Sequence, residues 1–497
     1  MHIDVRPVAK LRGSSPVNVA AALGPVLDAV SSTDVDLAGL RVTCDWIQYR
    51  HNFAEPVECR PVLTERPGGP GPGDGRPAAA PAALELAVDL RRAFDVDLTT
   101  SVKQALAEHA DGTSPGRTVL ESWGPARDSC IWRFNALYWQ ALASWEQATG
   151  REYEQALPGG QTQARDVAAA RELIGDLLQV WDQLDERRAL PESLYIVELG
   201  VGNGNQARTW LDTFAEMDRE HGRDYYRRLH YLMGDYSPHV LERARQAVAH
   251  HGDHVNSLVL DATSPQVTLG FLRGRAFCVY ISNVYDNLPT DEVASIRGRP
   301  YLVEARAYLR DDDAAQIARR YRAGSKLPAL IERLLRLGPD LLAEAAPDHF
   351  PDAGHAVTFW QDVWSALRLQ ERYVPLAGLD AYQPSASLTG EILRPLLEGS
   401  GDIRMHVSNG ALASFADTLP LLHPFGRLQC HDLFVTAPGQ YQAGFHGPGK
   451  YDGSVVNWVN GPLLALTGNR RGFQVQIAPM PGRPNASVKT LMAQVRD

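Results

Sequence analysis

The chain has 497 residues, 44% of them hydrophobic and 22% charged, and a net charge of −10. That length holds two or three domains with a large core, and the acidic balance supplies no positive field for nucleic acid, which is excluded as a partner. Five cysteines scattered without Cys-x-x-Cys spacing read as free thiols of a reducing compartment, and no apolar run reaches the roughly 18 residues of a membrane span, so a soluble, cytoplasmic protein is expected.

Residues 1–65 form a mixed N-terminal region, with a helix expected over Val17–Val30 and short strands at Leu40–Val42 and Val57–Leu63. Residues 66–82 are too rich in Pro and Gly to pack and read as a linker. Residues 83–190 are expected to be mainly helical, with helices over Leu84–Phe94 and Val102–His109. The run Ile131–Glu146 is the most aromatic of the chain, with Trp132, Phe134, Tyr138, Trp139 and Trp145 covering more than one helix face. It suits a helix buried against the main domain, or a lid over a pocket. Leu173, Leu177, Val180, Trp181 and Leu184 then make an amphipathic helix.

That helix leads into L-Y-I-V-E-L-G-V-G-N-G-N, Leu194–Asn205, in which an apolar strand ends at Glu198 and is followed by Gly200, Gly202 and Gly204. Ala207, Trp210, Leu211, Phe214 and Met217 continue at helical spacing. Strand, glycine turn and helix open a nucleotide-binding α/β sheet. A dinucleotide fingerprint places its third glycine one residue later, where Asn205 stands. E-x-G-x-G-x-G instead resembles motif I of the class I S-adenosylmethionine-dependent methyltransferases.

Three more strands follow: Leu229–Met233 ending at Gly234 and Asp235, Ser257–Leu260 ending at Asp261, and Ala276–Ile281 ending at S-N-V-Y-D, Ser282–Asp286. Strands alternating with helices imply a parallel sheet whose ligand lies at the carboxyl ends. Asp235 is placed to accept from ribose hydroxyls, Asp261 from an adenine amino group, and Glu198 to meet an amino acid end. Carboxylates in this order suit a cationic ligand and repel a pyrophosphate. Residues 191–310 thus form the first part of the sheet domain, 311–400 a helical insertion without strands, and 401–497 the rest. In the last part, strands are expected at Met405–Val407, at Leu428–Val435 and, antiparallel at the edge, at Phe473–Ala478. The basic cluster Arg319, Arg320, Arg322 and Lys326 reads as a solvated helix face.

With this order laid out, the chain resembles the MidA-like methyltransferases. A-R-E-L-I-G-D-L-L-Q-V-W-D-Q-L before the glycine turn, L-H-Y-L-M-G-D-Y-S-P-H-V-L and S-N-V-Y-D-N-L-P are similar to family segments. Tyr451–Trp458 is loosely similar to another, while His431-Asp432-Leu433 replaces the family's D-Y-G. The resemblance implies a Rossmann-like class I methyltransferase sheet, here with an N-terminal mainly helical region and a helical insertion. It implies S-adenosyl-L-methionine as cofactor, held by Glu198, Gly200, Gly202, Gly204, Asp235, Asp261 and Asn283. It also implies an acceptor site at the loop after the fourth strand, where Asn283, Tyr285 and Asp286 are the catalytic candidates; Asp286 reads equally well as a helix cap.

His431 and Asp432 are second-rank acid/base candidates, with a satisfied core histidine favoured. His250, His251 and His254 lack a metal-binding frame, and no metal is expected. G-F-H-G-P-G-K-Y, Gly444–Tyr451, lacks the Ser or Thr of a phosphate loop and is expected to be a mobile substrate-facing loop, with His446 and Lys450 as contacts. Two function classes follow: a methyltransferase acting on a peptide, a protein side chain or a small metabolite, and a non-catalytic assembly protein that keeps the fold.

Overall fold

The structure, a computed structural model, describes residues 1–6, 19–66, 83–110, 116–153, 167–480 and 485–496. The linker at 66–82 lies, apart from Arg66, outside the described residues. Short apolar runs separated by amphipathic helices build a seven-stranded sheet: β1 Leu194–Leu199, β2 Leu229–Asp235, β3 Val255–Val259, β4 Ala276–Ser282, β5 Leu422–Asp432, β6 Phe473–Pro479 and β7 Lys489–Val495. Their order across the sheet is 3-2-1-4-5-7-6. β1 to β5 run parallel, with Val279 of β4 pairing Val197 on one side and Leu428 on the other. β7 runs antiparallel between β5 and β6. The expected late edge strand is therefore β6.

Alternation along β1 feeds two cores. Leu194 and Ile196 pack with the helices Val167–Glu186 and Asn205–Glu220, where Trp181 meets Phe214, Tyr225 and Phe277 edge-on. Val197 and Leu199 pack on the opposite face with Phe415, Leu463 and Leu464 of the helices Asn409–Thr418 and Gly461–Arg470. A sheet covered on both faces reads as continuous apolar runs, which is why β1, β2 and β4 were legible.

The remaining chain departs from expectation. A second, ten-stranded sheet joins the N-terminal region to the segment between β4 and β5. Its N-terminal strands are His2–Val5, Leu40–Asp45, Ala83–Asp89 and Val57–Val62; its later strands are Arg368–Pro375, Arg299–Arg310, Glu292–Ile296 and Ile403–His406, and the short strands Arg117–Val119 and Gly124–Pro125 pair with Arg299–Arg310. The helix expected at Leu84–Phe94 is thus a central strand, parallel to Leu40–Asp45 and antiparallel to Val57–Val62. Leu, Glu and Ala favour helix locally, but pairing on both sides overrides that preference.

The expected strand-free insertion at 311–400 is corrected in the same way. It does carry the helices Asp311–Arg320, Leu327–Ala345 and Ala353–Ala366, but Arg368–Pro375 is a strand that pairs along its whole length with Arg299–Arg310. The excursion from the main sheet begins with the hairpin at Glu292 and ends at His406, so Met405 belongs to the second sheet. R-L-Q-E-R-Y-V-P looks too polar for a strand because its charges are paired inside the protein. Arg404 bridges Glu371 at 2.7 Å and also binds Glu292; Arg60 bridges Glu371 at 2.9 Å and Glu85 at 3.2 Å; Arg372 bridges Glu304 at 2.6 Å. No helix among the described residues is long and apolar enough to cross a membrane.

Candidate active site

The carboxyl ends of β1, β2 and β4 open into a cavity of about 310 Å³. Its floor contains Glu198, Gly200, Gly202, Asp235, Asp261 and Asn283, six of the residues singled out in the sequence. The aromatic helix Cys130–Gln140 covers the other side with Trp132, Asn135, Ala136 and Trp139. That helix is both buried and a roof, so the two readings of the aromatic run describe one element.

Gly200 has φ +74°, and its N–H donates to Gly234 O at 2.7 Å, which ties the turn to β2. A Cβ there would sit 2.2 Å from Val284 Cγ2. Gly204 lies outside the cavity. It opens the helix Asn205–Glu220 at φ +77°, and a Cβ on it would sit 2.7 Å from Ala244 Cα, so this glycine serves helix packing.

The acids are held differently. Glu198 is buried and accepts from the Tyr231 hydroxyl at 2.7 Å; burial pushes its carboxyl up to about 8. Asp235 accepts from Ser237 N at 2.9 Å and Gly202 N at 3.3 Å, and burial pushes it up to about 6. Asp261 is exposed at the rim, where Thr263 donates twice to Oδ1 at 2.8 Å. Asn283 takes φ +52° after β4, a conformation Asn tolerates, and its N–H donates to His431 O at 2.9 Å.

Burial holds the Glu198 proton in the folded chain at pH values where the unfolded carboxyl has lost it. Between about pH 4.5 and 8 the native state binds the extra proton, so this group's stabilisation is present at low pH and is lost as pH rises through 8. Glu198→Gln is expected to remove that slope: relative to the parent, its melting temperature should rise as the buffer is taken from pH 5 to 8.5. A difference that stays flat over this range would contradict the burial argument.

Tyr285 and Asp286 do not line the cavity. Tyr285 is 2% exposed in the core, and Asp286 accepts from Asn287 Nδ2 at 2.8 Å, with burial pushing its carboxyl up to about 6. Burial and the neighbouring Asp286 also push Asp432 well above the usual carboxylate range, while its oxygens accept from Val284 N, Tyr285 N and Leu433 N at 3.2, 2.8 and 2.7 Å. Asp432 therefore supports the turn that presents Asn283. His431 is a satisfied core histidine, held by Thr490 Oγ1 at 2.9 Å and Gln429 at 3.0 Å, and burial pulls it down to about 4.

His446 and Lys450 are not substrate contacts. His446 pairs with Asp45 and meets Arg404 O at 3.1 Å; Lys450 donates to Trp364 O, Ser365 O and Leu367 O, closing the helix Ala353–Ala366. The loop expected to face substrate is instead wedged between these elements.

Residues the sequence did not single out complete the site. Tyr236 follows Asp235 and is held by Gln140 Nε2 at 2.7 Å, and the Tyr153 hydroxyl lies 3.2 Å from where a Gly202 Cβ would be. Tyr236 sits beside a visible acid, whereas nothing local marks Tyr153. Asn135 secures the roof: its Nδ2 donates to Asn287 O at 2.9 Å and its Oδ1 accepts from Val455 N at 2.8 Å. Asn135→Ala leaves both groups unpaired at a buried position and is expected to cost about 2–4 kcal/mol in urea unfolding; an unchanged midpoint would show the clamp to be dispensable.

Among the described residues lining the cavity are three carboxyl groups and no lysine, arginine, histidine or cysteine. A pyrophosphate finds no cationic side chain to receive it in such a lining, whereas carboxyl oxygens can accept from the amine and hydroxyls of a cofactor. Strand order, glycine turn and cavity together define a class I S-adenosylmethionine-dependent methyltransferase domain. Residues 173–361 match the profile of a family described as "Putative S-adenosyl-L-methionine-dependent methyltransferase", which makes S-adenosylmethionine the cofactor of this domain. No curated protein matches the chain.

Several solved structures are similar. A superfamily member from Burkholderia thailandensis bound to S-adenosyl-homocysteine is 12% identical, with 78% of this chain and 90% of that one covered and a TM-score of 0.44. The CcbJ methyltransferase from Streptomyces caelestis is 10% identical, with coverages of 73% and 99% and a TM-score of 0.31. The DszA carbon methyltransferase is 12% identical, with coverages of 82% and 73% and a TM-score of 0.32. Likenesses this distant add nothing about substrate.

Proposed function

We propose that the chain is a methyltransferase that methylates a nitrogen, oxygen or carbon nucleophile of a small metabolite or of a peptide or protein side chain. The observation that carries this reading is the convergence of Glu198, Asp235 and Asp261 with the glycine turn in one cavity, with no cationic side chain among the described residues that line it. When bound, S-adenosylmethionine supplies a methyl group on a positively charged sulfur. In this reading Asp235 accepts from the ribose hydroxyls, Asp261 from the adenine amino group, and Glu198 meets the amino acid end. The Trp132 and Trp139 roof keeps water from the acceptor, and Asn283 orients it; both effects act through position and exclusion.

The three acids lining the cavity are assigned to the cofactor, and Asp286 lies behind the wall. Tyr285 and Asp286 accordingly stand in the wall next to Asn283 without facing the acceptor, and the acceptor's proton passes to solvent without a dedicated carboxylate base. Nucleic acid is not the proposed substrate. The test is thermal stabilisation by S-adenosylmethionine and S-adenosylhomocysteine, followed by mass spectrometry of methylated products from candidate acceptors. Stabilisation by both, with product formed, supports the enzyme; no melting shift with either removes the methyltransferase reading.

A further inference from the structure

Away from the cavity, three metal-ligating side chains from two elements meet. Asp212 lies on the helix Asn205–Glu220, and His250 and His251 lie on the turn Ala249–His254. His250 Nε2 is 2.8 Å and His251 Nε2 3.0 Å from the same oxygen, Asp212 Oδ1, and the three donor atoms all lie within 4.8 Å of one another. Successive residues of a regular helix point about 100° apart. His251 breaks the helical conformation at φ −105°, which lets the adjacent histidines address one carboxylate.

We propose that Asp212, His250 and His251 form a site for a borderline divalent transition metal of the zinc class, with water completing the shell. Zinc bonds of about 2.0–2.1 Å in a tetrahedron put neighbouring ligand atoms roughly 3.3 Å apart. The two histidine–carboxylate separations need to open by only a few tenths of an ångström. The side chains that must move, His250 and Asp212, are 54% and 53% exposed, whereas His251 is 6% exposed and fixed.

The fixed ligand is also oriented from behind. The Tyr226 hydroxyl lies 2.5 Å from His251 Nδ1. A proton on Nδ1 donated to Tyr226 leaves the Nε2 lone pair facing the carboxylate, the arrangement in which a metal-bound histidine is held by an outer partner. Without the metal each neutral ring donates its Nε2 proton to Asp212; on binding that proton is carried on Nδ1 instead, which for His251 then donates to Tyr226, and Nε2 is free to bind the metal. His254, which the sequence groups with the pair, instead packs against Tyr226 with ring centroids 4.1 Å apart and planes tilted by 48°. The missing ligand comes from another helix, Asp212, which no local spacing reveals.

The metal would clip the helix that opens at the glycine turn to the segment that follows the helix after Asp235. Its role is structural, and it holds whether or not the chain methylates anything.

The test is a titration of the tag-free, metal-stripped full chain with zinc chloride, read by calorimetry and by melting temperature. The parent is expected to bind one equivalent and melt several degrees higher. His250→Ala, at an exposed position, and Asp212→Asn should each weaken binding at least tenfold, while His254→Ala should not. Absence of binding by the parent overturns the proposal, as does zinc affinity that both substitutions leave unchanged. A circular dichroism spectrum matching the parent's establishes that each variant is folded, so weakened binding reads on the site.

Discussion

An Arg404→Gln chain is expected to unfold about 3–5 kcal/mol more easily than the parent at pH 7. Arg404 is 5% exposed on its side chain and holds both Glu292 and Glu371 within the second sheet. Burial on its own would raise Glu292, yet Arg404 and His406 hold it well below the usual carboxylate range. Without the guanidinium, Glu292 remains inside with too little compensation, while Glu371 keeps only Arg60 among the described residues. The parent's Glu292 contribution is present above the unfolded value near 4.5 and lost as pH falls through the lower folded value. In the variant Glu292 becomes neutral more readily, so the gap between the two proteins should narrow as pH is lowered toward 4. Guanidinium unfolding at pH 7 and pH 4.5 checks both parts; a gap that is small at pH 7, or that widens in acid, would show that the network contributes little.

Asp235→Ala is expected to weaken S-adenosylmethionine binding about 100-fold, which corresponds to roughly 2.7 kcal/mol. The carboxylate proposed to accept from two ribose hydroxyls also organises its own surroundings, through Gly202 N and Ser237 N. Asp235→Asn keeps an acceptor oxygen and should fall between the parent and the alanine variant. Since burial pushes this carboxyl up to about 6, protons compete with the cofactor: affinity should decline as pH falls through 6, and that decline should vanish in Asp235→Asn. Calorimetric titration across pH 5–8 measures this. Equal affinity in the alanine variant would remove Asp235 from the cofactor site.

How legible each part was depends on where its partners lie. The main sheet shows itself in the sequence because β1, β2 and β4 are buried on both faces and each ends in a polar, turn-forming group. The second sheet is hidden because its strands carry charges whose partners lie far along the chain: Glu85 reads as a helix former until Arg60 and Tyr373 are seen on it. Within the candidate site, Asn283, Tyr285 and Asp286 look alike as neighbours on one loop. Only the turn after β4 separates them, leaving Asn283 at the cavity and the other two in the core. Asn135 and Tyr153 carry no signal because their roles come from contacts with Val455, Asn287 and Gly202, on other elements.

The interleaving of the two sheets has a consequence for how the chain is made. β4 and β5 are adjacent in space, yet β5 leaves the ribosome only after Ile403–His406, the last strand of the second sheet. Conversely, the N-terminal strands emerge first and wait for Arg368–Pro375 before they connect to the rest of their sheet. The second sheet can therefore be complete before β5, β6 and β7 emerge, whereas the main sheet cannot close until the whole second sheet has been made. Such long-range pairing makes for slow assembly with unpaired edges exposed in the meantime, so synthesis that stalls between β4 and Ile403–His406 leaves both sheets incomplete and open to aggregation.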